Sequence, residues 1–169
     1  MYADSWDAIV AAFAILAAVS DLRWHRIPRS FNLFGFAAGL LFHAVYGRLP
    51  EALQATVVAF AAGLLLFSIG AVGGGDVKLM TALGAMMGLQ PWLRAMLFAI
   101  FAAAVMSLVQ VVGHGMVRQT LRNMGQVLLN LVRGGLVAHP VVNVKNPAML
   151  RTPFGAAAAF GVLVVLLKL

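Results

Sequence analysis

Residues 52–78 read ALQATVVAFAAGLLLFSIGAVGGGDVK, twenty-four residues without a charge and then Asp76 and Lys78 within three positions. Crossing the hydrocarbon of a bilayer takes about 20 mostly apolar residues, so the first part of this stretch predicts a membrane span. The same reading extends along the chain. Windows 8–20, 30–47, 79–93, 95–117 and 152–167 also contain no Asp, Glu, Lys or Arg. Of 169 residues, 63% are hydrophobic and only 10% charged, where a soluble domain carries about a quarter charged. At a mean hydropathy of +0.97 there is too little polar surface to coat a water-soluble globule. The absence of cysteine excludes a disulfide-stapled domain and a cysteine-ligated zinc module.

The expected fold is therefore an all-α polytopic membrane protein of about six transmembrane helices. It forms a single domain, 1–169, with spans near 6–21, 30–47, 52–73, 76–90, 92–115 and 152–168. Pro91, Trp92 and Arg94 predict a tight turn between the fourth and fifth spans. The first seven residues hold Asp4 and Asp7 and no Lys or Arg, unlike a signal peptide, so the first segment reads as a retained span.

Between the last two spans lies a polar stretch, 116–151. Val117, Leu121, Met124, Leu128, Leu131 and Val132 recur there at helical spacing, with Arg118, Arg122 and Arg133 on other faces. That pattern predicts a basic amphipathic helix on an anionic leaflet, or a solvated connector. Pro140, Pro147 and Pro153 keep the following residues out of regular helix.

Orientation follows from the distribution of Lys and Arg. With both termini outside, the inner segments hold Arg23, Arg26, Arg29, Lys78, Arg118, Arg122, Arg133, Lys145 and Arg151, against Arg48, Arg94 and Lys168 outside. The net charge of +7 thus reads as topology rather than as a nucleic-acid surface, because the basic residues sit between apolar runs. Of the five acids, Asp4, Asp7 and Glu51 fall outside, while Asp21 and Asp76 fall at inner span ends.

Ionisable groups at the edge of the hydrocarbon are costly and mark candidate sites. Gly73-Gly74-Gly75-Asp76 places a carboxylate at the first turn of a helix, and Ser20-Asp21 through Ile27-Pro28 ends a span in a basic loop. Taken singly, each Asp could serve only as a helix cap. Taken together, two carboxylates on one membrane face cannot both ionise cheaply, so they share a proton and supply one acid and one base. In an aspartic protease the ionised member activates water and the protonated one donates to the scissile carbonyl.

These segments resemble those of the type IV prepilin peptidases and archaeal preflagellin peptidases. Gly73-Gly74-Gly75-Asp76 with Lys78 looks like their GxGD motif, which presenilin-type proteases share. Asp21-Leu22-Arg23 through Ile27-Pro28 looks like their first motif, and Thr152-Pro153-Phe154-Gly155 like the turn opening their last span. The resemblance implies an intramembrane aspartic endopeptidase with Asp21 and Asp76 as its catalytic pair. Gly73, Gly75, Lys78, Pro28, Pro153 and Gly155 would be motif or supporting residues, with Pro153 and Gly155 placing an extended substrate. It implies prepilin-like substrates, cut at the cytoplasmic face of a bacterial inner membrane, and no metal or other cofactor.

The chain looks like the short type associated with tight-adherence pili. Only about nine residues separate Asp21 from the second window, leaving no room for the cytosolic methyltransferase region of longer members. Where the family commonly has Asn after Ile-Pro, this chain has Arg29, with Asn32 three residues on as a candidate for a related hydrogen bond. Lys78 lies two positions beyond Asp76, where helical geometry turns it away, and is expected to snorkel. His25, His43, His114 and His139 share no metal-ligand spacing and read as packing or interface residues; the nine Met residues read as packing. Two other classes fit the composition: a small cation- or proton-coupled transporter and a non-catalytic subunit of a secretion apparatus. A transporter would favour acids near mid-span and paired halves, which this chain lacks.

Overall fold

A computed structural model describes residues 2–24, 26–134 and 153–168. Seven helices make up its regular structure: α1 (Tyr2–Trp24), α2 (Arg29–Val45), α3 (Leu49–Ser68), α4 (Gly74–Met87), α5 (Leu89–Gly113), α6 (Val117–Gly134) and α7 (Phe154–Leu166). No strand occurs among the described residues. Segments Ser5–Trp24 and Leu49–Ser68 and helix α5 are long and apolar enough to cross a membrane; α7 is apolar but shorter.

α4 is the hub of the bundle, and α1, α2, α3 and α5 all pack on it. It is only 14 residues long, and eight of them, from Val77 to Met86, are buried. At 1.5 Å per residue that is about 21 Å, short of the roughly 30 Å hydrocarbon. Small residues let its neighbours approach, as helix packing without a hydrophobic drive requires. Ala55 and Ala59 of α3 lie against Gly84, where a Cβ would come within 2.9 Å of the Ala59 Cβ. Gly39 of α2 lies against the α4 backbone, its place for a Cβ being 2.6 Å from the Ala85 carbonyl carbon. α7 in turn packs on α1 and α5.

The outside of the bundle is apolar. Phe34, Leu41, Val57, Leu97 and Phe101 are each at least 66% exposed, a surface that suits lipid rather than water. Among the described residues, two polar side chains are buried instead, Asn32 and His43.

The turn between α4 and α5 differs from the sequence expectation. It falls at Gly88, whose φ of +76° suits glycine, and Pro91, Trp92 and Arg94 already belong to α5. Pro91 is tolerated there because the first turn of a helix needs no partner for its missing N–H. α3 likewise ends at Ser68, five residues before Gly73 and short of the expected 73. The amphipathic segment is helical as α6 through Gly134; Lys145, Arg151, Thr152, Pro140, Pro147, His25 and His139 lie outside the described residues.

Candidate active site

Gly73 is the N-cap of α4, and Asp76 occupies its third helical position. The Asp76 carboxylate reaches back and accepts the Gly73 N–H at 2.9 Å, while the Asp76 N–H donates to the Gly73 carbonyl at 3.1 Å. The cap reading of Asp76 is therefore real, but it occupies one carboxylate oxygen. Gly73 also has little room for a side chain, since a Cβ would lie 3.3 Å from that oxygen. Gly75 is exposed, and a Cβ there would meet nothing within 4 Å.

Asp21 lies in the last turn of α1 and is half-buried. Its carboxylate accepts the Gly155 N–H at 2.7 Å, across 134 residues of sequence. Gly155 is buried in the first turn of α7, after Pro153 at the N-cap. A Cβ on Gly155 would lie 2.8 Å from the Asp21 Cβ and 3.0 Å from its oxygen, so only glycine brings the α7 backbone this close. The free N–H groups of a first turn favour a carboxylate there.

Asp21 and Asp76 interact electrostatically. Their approach follows from how α1 and α4 run. Trp6 of α1 donates its indole N–H to the Met86 carbonyl of α4 at 2.9 Å. From that anchor Asp21 is fifteen residues along α1 and Asp76 ten residues back along α4, about 22 and 15 Å of helix. Side chains tilt toward the N-terminus of their own helix. Because the two helices are antiparallel, the two carboxylates lean toward each other across the difference.

The other sequence-predicted residues have local settings of their own. Pro28 caps α2, its carbonyl accepting the Asn32 N–H at 3.3 Å. Lys78 and Arg29 are exposed, as snorkelling to an interface requires. His43 Nδ1–H donates to the Gly39 carbonyl at 2.9 Å, and His114 Nδ1–H to the Gln110 carbonyl at 2.8 Å. Among the described residues no three His, Cys, Asp or Glu side chains gather as a metal site would need. The Asp21–Gly155 contact was not readable from the sequence, where the last motif carried only a suggestion of substrate placement.

The type IV leader peptidase family matches residues 8–108. That covers most of α1, all of α2 to α4 and most of α5, with both acids inside it. The chain belongs to the type IV leader peptidase family. It is accordingly a membrane protein of a protease family, its apolar helices serving as the embedded body. No curated protein and no solved structure matches it.

Proposed function

We propose that the chain is an intramembrane aspartic endopeptidase that removes the N-terminal leader of prepilin-like proteins. What supports this reading is that two half-buried acids, Asp21 and Asp76, lie at neighbouring ends of antiparallel helices in an apolar bundle, near enough for the charge of Asp21 to bear on Asp76. In one turnover the ionised carboxylate takes a proton from water, and the water oxygen bonds to the scissile carbonyl carbon. The protonated partner donates to the carbonyl oxygen. The tetrahedral intermediate then collapses, the C–N bond breaks, and the leaving amine takes up a proton. The roles belong to the pair rather than to either residue.

The aspartate end of the bundle is the cytoplasmic side of a bacterial inner membrane in this reading. Six helices span, α6 lies on the inner leaflet with exposed Val117 and Leu121 toward lipid, and both termini face out. The substrate's charged leader stays at that face and its apolar segment enters the bilayer. Catalysis needs no metal, and the region for methylating the new N-terminus is missing between α1 and α2. A transporter would favour acids at mid-span, whereas these two lie at one end of α1 and α4.

The test is cleavage of a prepilin-like protein by the purified chain, compared with Asp21→Asn and Asp76→Asn. Either substitution is expected to abolish cleavage while leaving the thermal unfolding midpoint near wild type. Full cleavage by either variant refutes the pair, and ion movement in liposomes without any cleavage favours a transporter.

A further inference from the structure

Asn32 is 4% exposed, yet among the described residues neither its amide oxygen nor its amide nitrogen has a hydrogen-bond partner. The result is the same whichever way the amide is turned. A buried amide without partners is costly and calls for an explanation. Thr56 and Trp92 also carry an unpartnered buried atom. They lie toward the other end of the bundle, beside the residues that meet Gly84 and just after Gly88.

Asn32 lies within about one helical turn of the depth of Asp76. Trp6 stacks on Phe42 of α2 at 3.9 Å and hydrogen-bonds the Met86 carbonyl of α4. Asn32 is ten residues back from Phe42, and Asp76 ten residues back from Met86. α2 and α4 run in the same direction and Gly39 meets Ala85 and Met86, so seven residues back on each helix Asn32 lies opposite Lys78 and Leu79, about 3 to 4.5 Å along the axis from Asp76.

Asn32 also faces the groove between the two acid-bearing helices. It belongs to the buried strip Asn32, Gly35, Gly39 and His43. Gly35 lies against Phe13 of α1, and Gly39 against the α4 backbone at Ala85 and Met86. Followed back by helical steps, the α4 strip that meets α2 runs through Ala82 to Leu79, opposite Asn32, and Gly75 lies about one turn further on. At Gly75 there is open space beside the backbone.

A peptide bond is attacked only where the substrate helix has unwound, and in hydrocarbon the freed N–H and C=O groups find no water. An asparagine amide supplies both a donor and an acceptor. We propose that Asn32 binds the unwound substrate backbone beside Asp76, its amide N–H donating to a peptide carbonyl and its amide oxygen accepting a peptide N–H. The inference rests on the peptidase reading and adds to it a substrate-binding group on a third helix.

The test uses the full chain in lipid nanodiscs and a synthetic prepilin-like peptide with leader and apolar segment. Asn32→Leu is expected to lower kcat/KM on the order of 10- to 100-fold. It should weaken binding of the same peptide to an Asp76→Asn background by a similar factor. Its unfolding midpoint should equal or exceed wild type, because an unpaired buried amide has been removed, and Asn32→Gln should recover part of the activity. A kcat/KM of Asn32→Leu within about twofold of wild type overturns the proposal. So does a fall in midpoint, or failure to fold, which would make the amide a structural one. A wild type that cleaves no peptide overturns the peptidase reading as well; normal cleavage by Asn32→Leu overturns this inference alone.

Discussion

At one end of the core formed by α1, α2 and α4, Trp6 stacks on Phe42 at 3.9 Å and Phe42 meets Tyr46 at 4.7 Å. The Trp6 indole and the His43 ring each donate to a backbone carbonyl. At the other end the same three helices hold Asp21, Asp76 and Asn32, with open space at Gly75. The aromatic end joins rings that pack and donors that are paired locally. The aspartate end gathers carboxylates that repel when both are charged and an amide without a partner. Backbone N–H groups of Gly155 and Gly73 hold the two carboxylates there. On the proposed reading, packing dominates one end and chemistry the other.

The sharpest way to break this contrast is to replace the acids. Asp76→Asn should cut cleavage by about 10²–10⁴-fold with little change in unfolding midpoint, since the Asn amide oxygen can still accept the Gly73 N–H. Asp76→Ala should lose that hydrogen bond too, adding about 1 kcal/mol of destabilisation by thermal unfolding in detergent. If Asp76→Ala still cleaves, the aspartate end is structural after all.

Gly155→Val comes next. Its Cβ would press on Asp21, and misplacing a reacting group by about 1 Å can cost about 10²-fold. Initial rates at saturating substrate should fall far more than the unfolding midpoint does. At the aromatic end the pattern should invert. Gly39→Leu must push into the α4 backbone at Ala85 and Met86, and overpacking of this kind costs about 1–3 kcal/mol. Thermal unfolding should show that loss, while the folded fraction cleaves at the wild-type rate. Trp6→Phe removes only one hydrogen bond and should cost about 0.5–1.5 kcal/mol. Smallest of all, Arg48→Ala breaks the exposed 2.7 Å pair with Glu51 and should leave both midpoint and cleavage unchanged.

Much of the site was legible because membrane chemistry makes charge scarce. Asp21 and Asp76 stood out as the acids left at one face once the basic residues had been sorted. The position of Asp76 in the first turn of α4 was readable from the three glycines before it. Gly155 was visible as part of a motif, but its contact with Asp21 depends on α7 returning across the bundle to α1. Asn32 was noted only as a candidate for a related hydrogen bond, three residues beyond Arg29; nothing in the sequence says that its amide is buried without a partner. The turn at Gly88 was misread because proline is a strong break in most contexts, yet it is harmless in a first helical turn.

The sequence by itself determined that this chain lives in a bilayer and which acids to single out as candidates, since a run without charge and a misplaced carboxylate are both costs set by composition and position. Tertiary structure decided which apolar faces meet protein and which meet lipid, because both kinds of surface are equally apolar. It also decided that the Gly155 N–H reaches Asp21 and that the Asn32 amide is buried without a partner among the described residues. Those residues lie far apart in sequence, so it is the packing of α1 and α2 on α4, and of α7 on α1, that sets where they sit.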